Sequence, residues 1–137
     1  MRLAYAKVGT GPPLVRPAHW LGHLEYDWEL PFYRHLLLGL ASEFTLIRYD
    51  ARGNGLSDWD VGELSLDAWV NDLETVVDAA RLTRFPLLAL SQGCAVAIRL
   101  RCGIRSASRI WSFMEGLQLA DSTVPITRKP TANDLRR

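Results

Sequence analysis

The chain has 137 residues, of which 48% are hydrophobic and 23% charged, with a formal net charge of +1. That composition excludes a wholly disordered chain, a collagen-like chain and a strongly basic nucleic-acid binder, and the length suits one domain. No run approaches the ~18 apolar residues of a membrane span, Met1 to Gly9 has no apolar core followed by a small-residue cleavage site, so no secretion signal is expected there, and Cys94 and Cys102 are too few for a disulfide framework, so the expected setting is the cytoplasm.

Strand-like and helix-like segments alternate along the first part. Arg2 to Val8 reads as a strand, stopped by Gly9-Thr10-Gly11-Pro12-Pro13. Leu14-Val15 is a short apolar run ended by Pro17. Pro31 to Ala41 reads as a helix, with Pro31 at its first position and Phe32, Leu36 and Leu40 recurring every four residues. Phe44 to Tyr49 favours extension. Asp50 to Asp60 is a loop rich in Gly, Asn, Ser and Asp. Ser65 then caps a helix whose apolar positions Leu66, Trp69, Val70, Leu73, Val76, Val77 and Ala80 form one face. Pro86 to Leu90 has the character of a buried parallel strand, and Gly93 to Ile98 that of a small apolar helix. This order predicts an α/β fold with a mainly parallel sheet and flanking helices.

The neutral total hides a split. Residues 1–98 carry 8 basic and 12 acidic side chains, and residues 99–137 carry 8 and 3. After Ile98 neither the strand period nor the helix period persists. Residues 99–137 are expected to be a basic, poorly ordered tail, since Pro125, Pro130 and a polar end suit no packed element. A nucleic-acid arm is the rival reading of that charge. The scattered arginines, with no helical stripe, argue against it.

The sharpest chemical feature is Ala89-Leu90-Ser91-Gln92-Gly93. A buried strand runs into a serine flanked two positions away by small residues, and a helix follows at once. That is the layout of a nucleophile elbow, G-x-S-x-G with Ala89 for the first glycine. The bland reading of those five residues is a serine cap at an ordinary strand-to-helix loop. Other candidates are weaker. Gly53-Asn54-Gly55 lacks the third glycine and lysine of a phosphate loop. His19, His23 and Glu25 sit in a stretch broken by Pro17 and Gly22, which does not suit a metal site, so neither metal nor cofactor is expected. Trp20, Tyr26, Trp28, Phe32 and Tyr33 read as packing before pocket lining.

Three blocks together resemble the first half of an α/β-hydrolase. Tyr5 to Val15 resembles the approach to that family's third strand. Tyr49-Asp50-Ala51-Arg52-Gly53-Asn54-Gly55-Leu56-Ser57-Asp58 resembles the loop after its fourth. Ala89 to Gly93 resembles the elbow after its fifth. The likeness extends to hydrolase modules found beside cyclase or transcription-regulator domains in some bacterial proteins. It implies a partial α/β-hydrolase fold over residues 1–98, incomplete at both ends, acting on a small ester-type substrate. Ser91 would be the nucleophile. Gln92 would supply one oxyanion-hole N–H, and Trp20 the second by position, although the family's His-Gly pair reads His19-Trp20 here. Ala89 and Gly93 would shape the elbow. Arg52, Gly53 and Gly55 would shape the neighbouring loop.

The family's chain order of Ser, then acid, then His is not met. His19, His23 and His35 all precede Ser91, so little turnover is expected of this chain. A non-catalytic module binding a small apolar ligand among Trp20, Trp28 and Trp59 is the alternative. No nucleic-acid or membrane partner is expected, while an exposed sheet edge would invite association. Residues 101–118 also admit codons that, read two bases later, spell Val-Arg-His-Pro-Glu-Arg-Val-Ser-His-Leu-Val-Leu-Tyr-Gly-Gly-Phe-Ala. That resembles the family's continuation, so a change of reading frame near Ile98 is the expected origin of the tail.

Overall fold

The computed structural model describes residues 1–103. Within them lie β1 (Tyr5–Val8), β2 (Pro13–Arg16), a short 3-10 turn (Tyr26–Trp28), α1 (Pro31–Glu43), β3 (Thr45–Tyr49), α2 (Leu66–Ala79) and α3 (Gln92–Gly103). The sheet order is β1-β3-β2. β1 runs antiparallel to β3, β2 parallel to it. Val15 bridges in parallel to Leu87, which adds the segment after α2 beside β2.

Alternation along the strands divides the core, because successive side chains face opposite sides of a sheet. Val15, Ile47, Tyr49, Leu87 and Ala89 pack beneath α2 and α3, with Leu73, Val76, Val96, Ala97 and Leu100. Leu14 and Leu46 face the other way and meet Leu37 of α1, with Trp28, Leu40 and Leu88 at the margin. The result is a sheet with helices on both faces, as the alternating pattern predicts.

The helix ends follow from local chemistry. Pro31 occupies the first turn of α1, where its missing N–H costs nothing. Ser65 Oγ accepts from Ala68 N–H at 3.1 Å and starts α2. At the other end of α2, Arg81 sits at φ +58, and Leu82 N–H returns to the Val77 carbonyl at 3.1 Å while Arg81 N–H returns to Asp78. This is a Schellman ending with arginine where glycine is usual.

Two elements differ from the sequence reading. Pro86 to Leu90 forms no full strand: Val15 N–H donates to Pro86 O and Leu88 N–H to Val15 O, and the pairing stops there. Among the described residues it has a neighbour on one side only, so no second ladder holds it. The last helix also runs to Gly103, past Ile98. Val96, Ala97 and Leu100 share its inner face, and Arg99 stays outside, paired with Asp67 at 2.9 Å. The rest of the expected tail and the proposed frame change, residues 104–137, lie outside the described residues. Among the described residues no helix is long and apolar enough to cross a membrane.

Candidate active site

The C-terminal ends of parallel strands are where open α/β sheets place ligands, and the candidate residues gather there. The 86–90 segment ends at Ser91, and α3 begins at the next residue. Ser91 has φ +50, the left-handed region that a residue with a Cβ rarely visits. Gly93 N–H bonds Leu90 O at 2.9 Å and Cys94 N–H bonds Ser91 O at 3.0 Å, so the chain turns from strand to helix within one residue. Ser91 is exposed at the head of α3, with Gln92 half-buried beside it.

The small flanking residues have a steric reason. Ala89 is fully buried in the core beneath α2 and α3. A Cβ on Gly93 would stand 3.2 Å from the carbonyl oxygens of both Pro17 and Ala18. The loop after β2 therefore lies directly against the head of α3, and a larger residue at position 93 would push the two apart.

That loop is anchored by buried charge. Arg16 and Arg48 are register partners on β2 and β3 and are both buried, as is Asp27. Two guanidinium groups on adjacent strands repel unless a carboxylate lies between them. Asp27 Oδ2 lies 2.7 Å from Arg48 Nη2 and 3.5 Å from Arg16 Nη1. Burial draws both guanidinium groups below their usual range, and the Asp27 charge opposes the shift. Arg16 Nε has no partner among the described residues. Arg16 Nη2 meets His19 Nε2, and His19 Nδ1 bonds the Trp20 carbonyl at 2.8 Å. Burial lowers the His19 pKa and so favours the neutral ring. Tyr49, buried behind this loop, has its pKa raised by burial, opposed by a backbone hydrogen bond with Ala18.

The loop after β3 is fixed by Asp50. Its carboxylate accepts from Leu24 N–H at 3.0 Å and Leu56 N–H at 2.9 Å, and its carbonyl accepts from Ser57 Oγ. Burial raises the Asp50 pKa, the two backbone donors opposing. Gly53 and Gly55 have φ of +72 and +53. A Cβ on Gly55 would strike the Asp50 carboxylate. Arg52 grips Asp72 of α2, with Nη2 at 2.7 Å, while Asp58 pairs with Arg2.

Trp20 presents its side chain to solvent, 76% exposed. Trp59 is exposed as well, with Nε1 on the Gly55 carbonyl, and Trp28 lies against the Arg48 guanidinium. The small described cleft is instead lined by Arg16, Pro17, Ala18, His19, Asp27 and Arg48, among others, and not by Ser91. His23 Nδ1 faces the backbone N–H groups of Glu25 and Tyr26. Among the described residues no three His, Cys, Asp or Glu gather as a metal set. Composition and spacing missed Arg16, Asp27 and Arg48. The available signal was a charge inside each of two apolar strand runs, Leu14-Val15-Arg16 and Leu46-Ile47-Arg48.

No family model matches the chain. A pyrrolizixenacetamide deacetylase of Xenorhabdus hominickii is 28% identical over 99 residues, which are 72% of this chain and 35% of the deacetylase. An alpha/beta hydrolase fold protein from Burkholderia ambifaria superposes with TM-score 0.64 and 27% identity, over 81% of this chain and 39% of that one. The enol-lactonase from Burkholderia xenovorans LB400 gives 0.65 and 25%, over 80% and 40%. The chain thus spans little more than a third of the length of these relatives. Strand order, flanking helices and these superpositions agree that the chain carries part of the α/β-hydrolase fold.

Proposed function

We propose that the chain carries the nucleophile half of a serine acyl-hydrolase site for a small ester-, lactone- or amide-type substrate. The observation that supports this is Ser91 itself. It is exposed, held at φ +50, and seated between fully buried Ala89 and tightly packed Gly93 at the first turn of a helix. An ordinary capping serine has extended backbone, as Ser65 does at φ −136, and needs no left-handed strain.

In this reading Ser91 Oγ attacks the substrate carbonyl carbon and gives its proton to a base. The oxyanion so formed faces Gln92 N–H at the positive end of α3, and the leaving group departs when the carbonyl reforms. Water then cleaves the acyl-serine, returning the hydroxyl. The deacetylase and the enol-lactonase name this class of chemistry for themselves, which favours acyl transfer over other uses of the fold.

The base is the weak point of the chain on its own. His19 is buried against Arg16 and Trp20 O, His23 faces backbone N–H groups, and His35 is exposed on α1. With no histidine after Ser91 in the sequence, turnover by this chain alone is slow or absent. Among the described residues one side of the 86–90 segment is unpaired, and that edge is where we expect association.

A fluorophosphonate probe followed by peptide mapping tests the reading. The expected result is slow, time-dependent labelling at Ser91 that vanishes in Ser91→Ala. Folded protein that stays unlabelled, or an adduct on another residue, overturns it.

A further inference from the structure

The loop between β2 and the 3-10 turn contains a locked reverse turn, whose purpose, though not its existence, rests on the acyl-hydrolase reading. Gly22 N–H donates to the His19 carbonyl at 3.1 Å and closes a four-residue turn. Leu21, its third residue, has φ +60. Positive φ at that position marks a type II turn, whereas a type I turn has negative φ there. The two forms differ by a flip of the central peptide, here the one joining Trp20 to Leu21. Glycine or asparagine usually holds this position, and a leucine there is strained. A specific contact must therefore select the strained form.

The Trp20 carbonyl supplies that contact. It accepts from His19 Nδ1 at 2.8 Å, and since a carbonyl cannot donate, Nδ1 carries the proton. In the neutral ring Nε2 is then an acceptor, and it meets Arg16 Nη2, a group that can only donate. Arg16 is held by Asp27 at 3.5 Å and lies 5.4 Å from the Tyr33 ring centroid. Tyr33 also stacks on His19 at 5.7 Å. Both nitrogens and one face of the imidazole are thus committed. In a trans peptide the Leu21 N–H points opposite to the Trp20 carbonyl, away from the buried ring. Leu21 is 75% exposed, and its N–H finds no acceptor among the described residues.

We propose that His19 is a positioning residue: its Nδ1–H, fixed in that tautomer by Arg16, locks the His19–Gly22 turn in the type II form and keeps the Leu21 N–H turned outward. In the acyl-hydrolase reading that N–H, rather than the one on Trp20, is the donor this loop offers to a developing oxyanion. Direct packing of the same loop on the head of α3 is what makes its peptide orientation matter to Ser91.

Proton and nitrogen NMR of the full chain tests the lock. The unmodified protein shows the Nδ1–H tautomer at His19 and a strong NOE from Trp20 Hα to Leu21 HN. His19→Leu loses that NOE and gains a strong amide–amide NOE between residues 20 and 21. His19→Asn, whose side-chain amide both donates and accepts, retains the first pattern. In a Leu21→Gly background positive φ carries little strain, so adding His19→Leu leaves the turn unchanged. An Nε2–H tautomer in the unmodified protein overturns the proposal, as does a type II turn that survives His19→Leu with Leu21 in place. The tautomer needs no variant and decides the matter even if His19→Leu fails to fold. Ser91→Ala, which abolishes probe labelling, leaves every one of these signals in place, so the failure of one proposal is distinguishable from the failure of the other.

Discussion

Asp27→Asn is the most informative single change to the loop's foundation. Asp27 Oδ2 faces Arg48 Nη2 at 2.7 Å and Arg16 Nη1 at 3.5 Å, while Oδ1 accepts from His23 N–H at 3.2 Å. An asparagine can present its oxygen to the arginines or to His23, not to both, so each orientation sets one donor against another. The change also takes from two guanidinium groups, only 3% and 6% exposed as whole residues, the counter-charge they share, leaving Arg48 only the weaker influence of Asp50. Breaking a buried pair in this way costs about 3–5 kcal/mol, a large share of the ~5–15 kcal/mol that holds a domain folded. With a urea m-value of about 2 kcal/mol/M, the unfolding midpoint falls by roughly 2 M. Adding Arg48→Met removes one orphaned charge, so the double variant loses less than the sum of the two singles, by about 1–3 kcal/mol. If Asp27→Asn costs below about 1 kcal/mol, as an exposed pair would, or if the two changes simply add, the cluster does not anchor the loop.

Arg81→Gly relieves a left-handed strain of about 1–2 kcal/mol at the end of α2, set against a glycine entropy cost of about 0.5–1 kcal/mol. Thermal melting should therefore show unchanged or raised stability, and a clear loss refutes the Schellman assignment. Gly55→Ala drives a Cβ into the Asp50 carboxylate and costs about 2–4 kcal/mol by the same denaturant assay, the sum of strain and disturbed buried hydrogen bonds; a neutral result contradicts the packing of that loop. His19 has a lowered folded pKa, so below about pH 6.5 the unfolded chain takes up a proton that the folded chain refuses. Its share of stability is present above that pH and is lost as pH falls toward the folded pKa. Asp50, raised by burial, acts in the opposite sense above about pH 3.9, and comparing the parent with His19→Asn cancels it. A difference curve that stays flat between pH 7 and 5 rules out a buried neutral His19.

What could be read from sequence was what is encoded locally. The Ser65 cap and the apolar stripe of α2 depend on residues within a few turns of each other, and both stand as expected. The strand-to-helix turn at Ser91 was legible because its small flanks and helical sequel are adjacent in the chain. The end of α3 was misjudged because charges at 99 and 101 outweighed Leu100. On a helix only one face needs to be apolar, and Arg99 and Arg101 lie on the outer one. The Arg16–Asp27–Arg48 cluster was hidden for a different reason. It depends on the β2–β3 register, which brings residues 16 and 48 side by side, and no local pattern states a register. Leu21 was hidden because glycine, the residue that signals a left-handed turn, comes one position later at Gly22.

The ends of β2, of β3 and of the 86–90 segment shape the candidate site in three different ways, and the differences fit together. β2 ends in Arg16 and leads to the His19 turn. β3 leads to Asp50, whose carboxylate holds one N–H from each of two loops, at Leu24 and at Leu56. The third segment ends in Ser91 at positive φ. Asp50 therefore ties the His19-bearing loop to the glycine loop, and Gly93 lets that same loop rest on the head of α3. Apolar packing does not supply this linkage, since the two core clusters contain none of Arg16, His19, Asp50 or Ser91. Buried carboxylates, buried guanidinium groups and left-handed residues carry it instead. Such groups cost stability wherever they are only partly satisfied, which explains why conservative changes at Asp27 or Gly55 are expected to weigh as heavily as removing a core side chain.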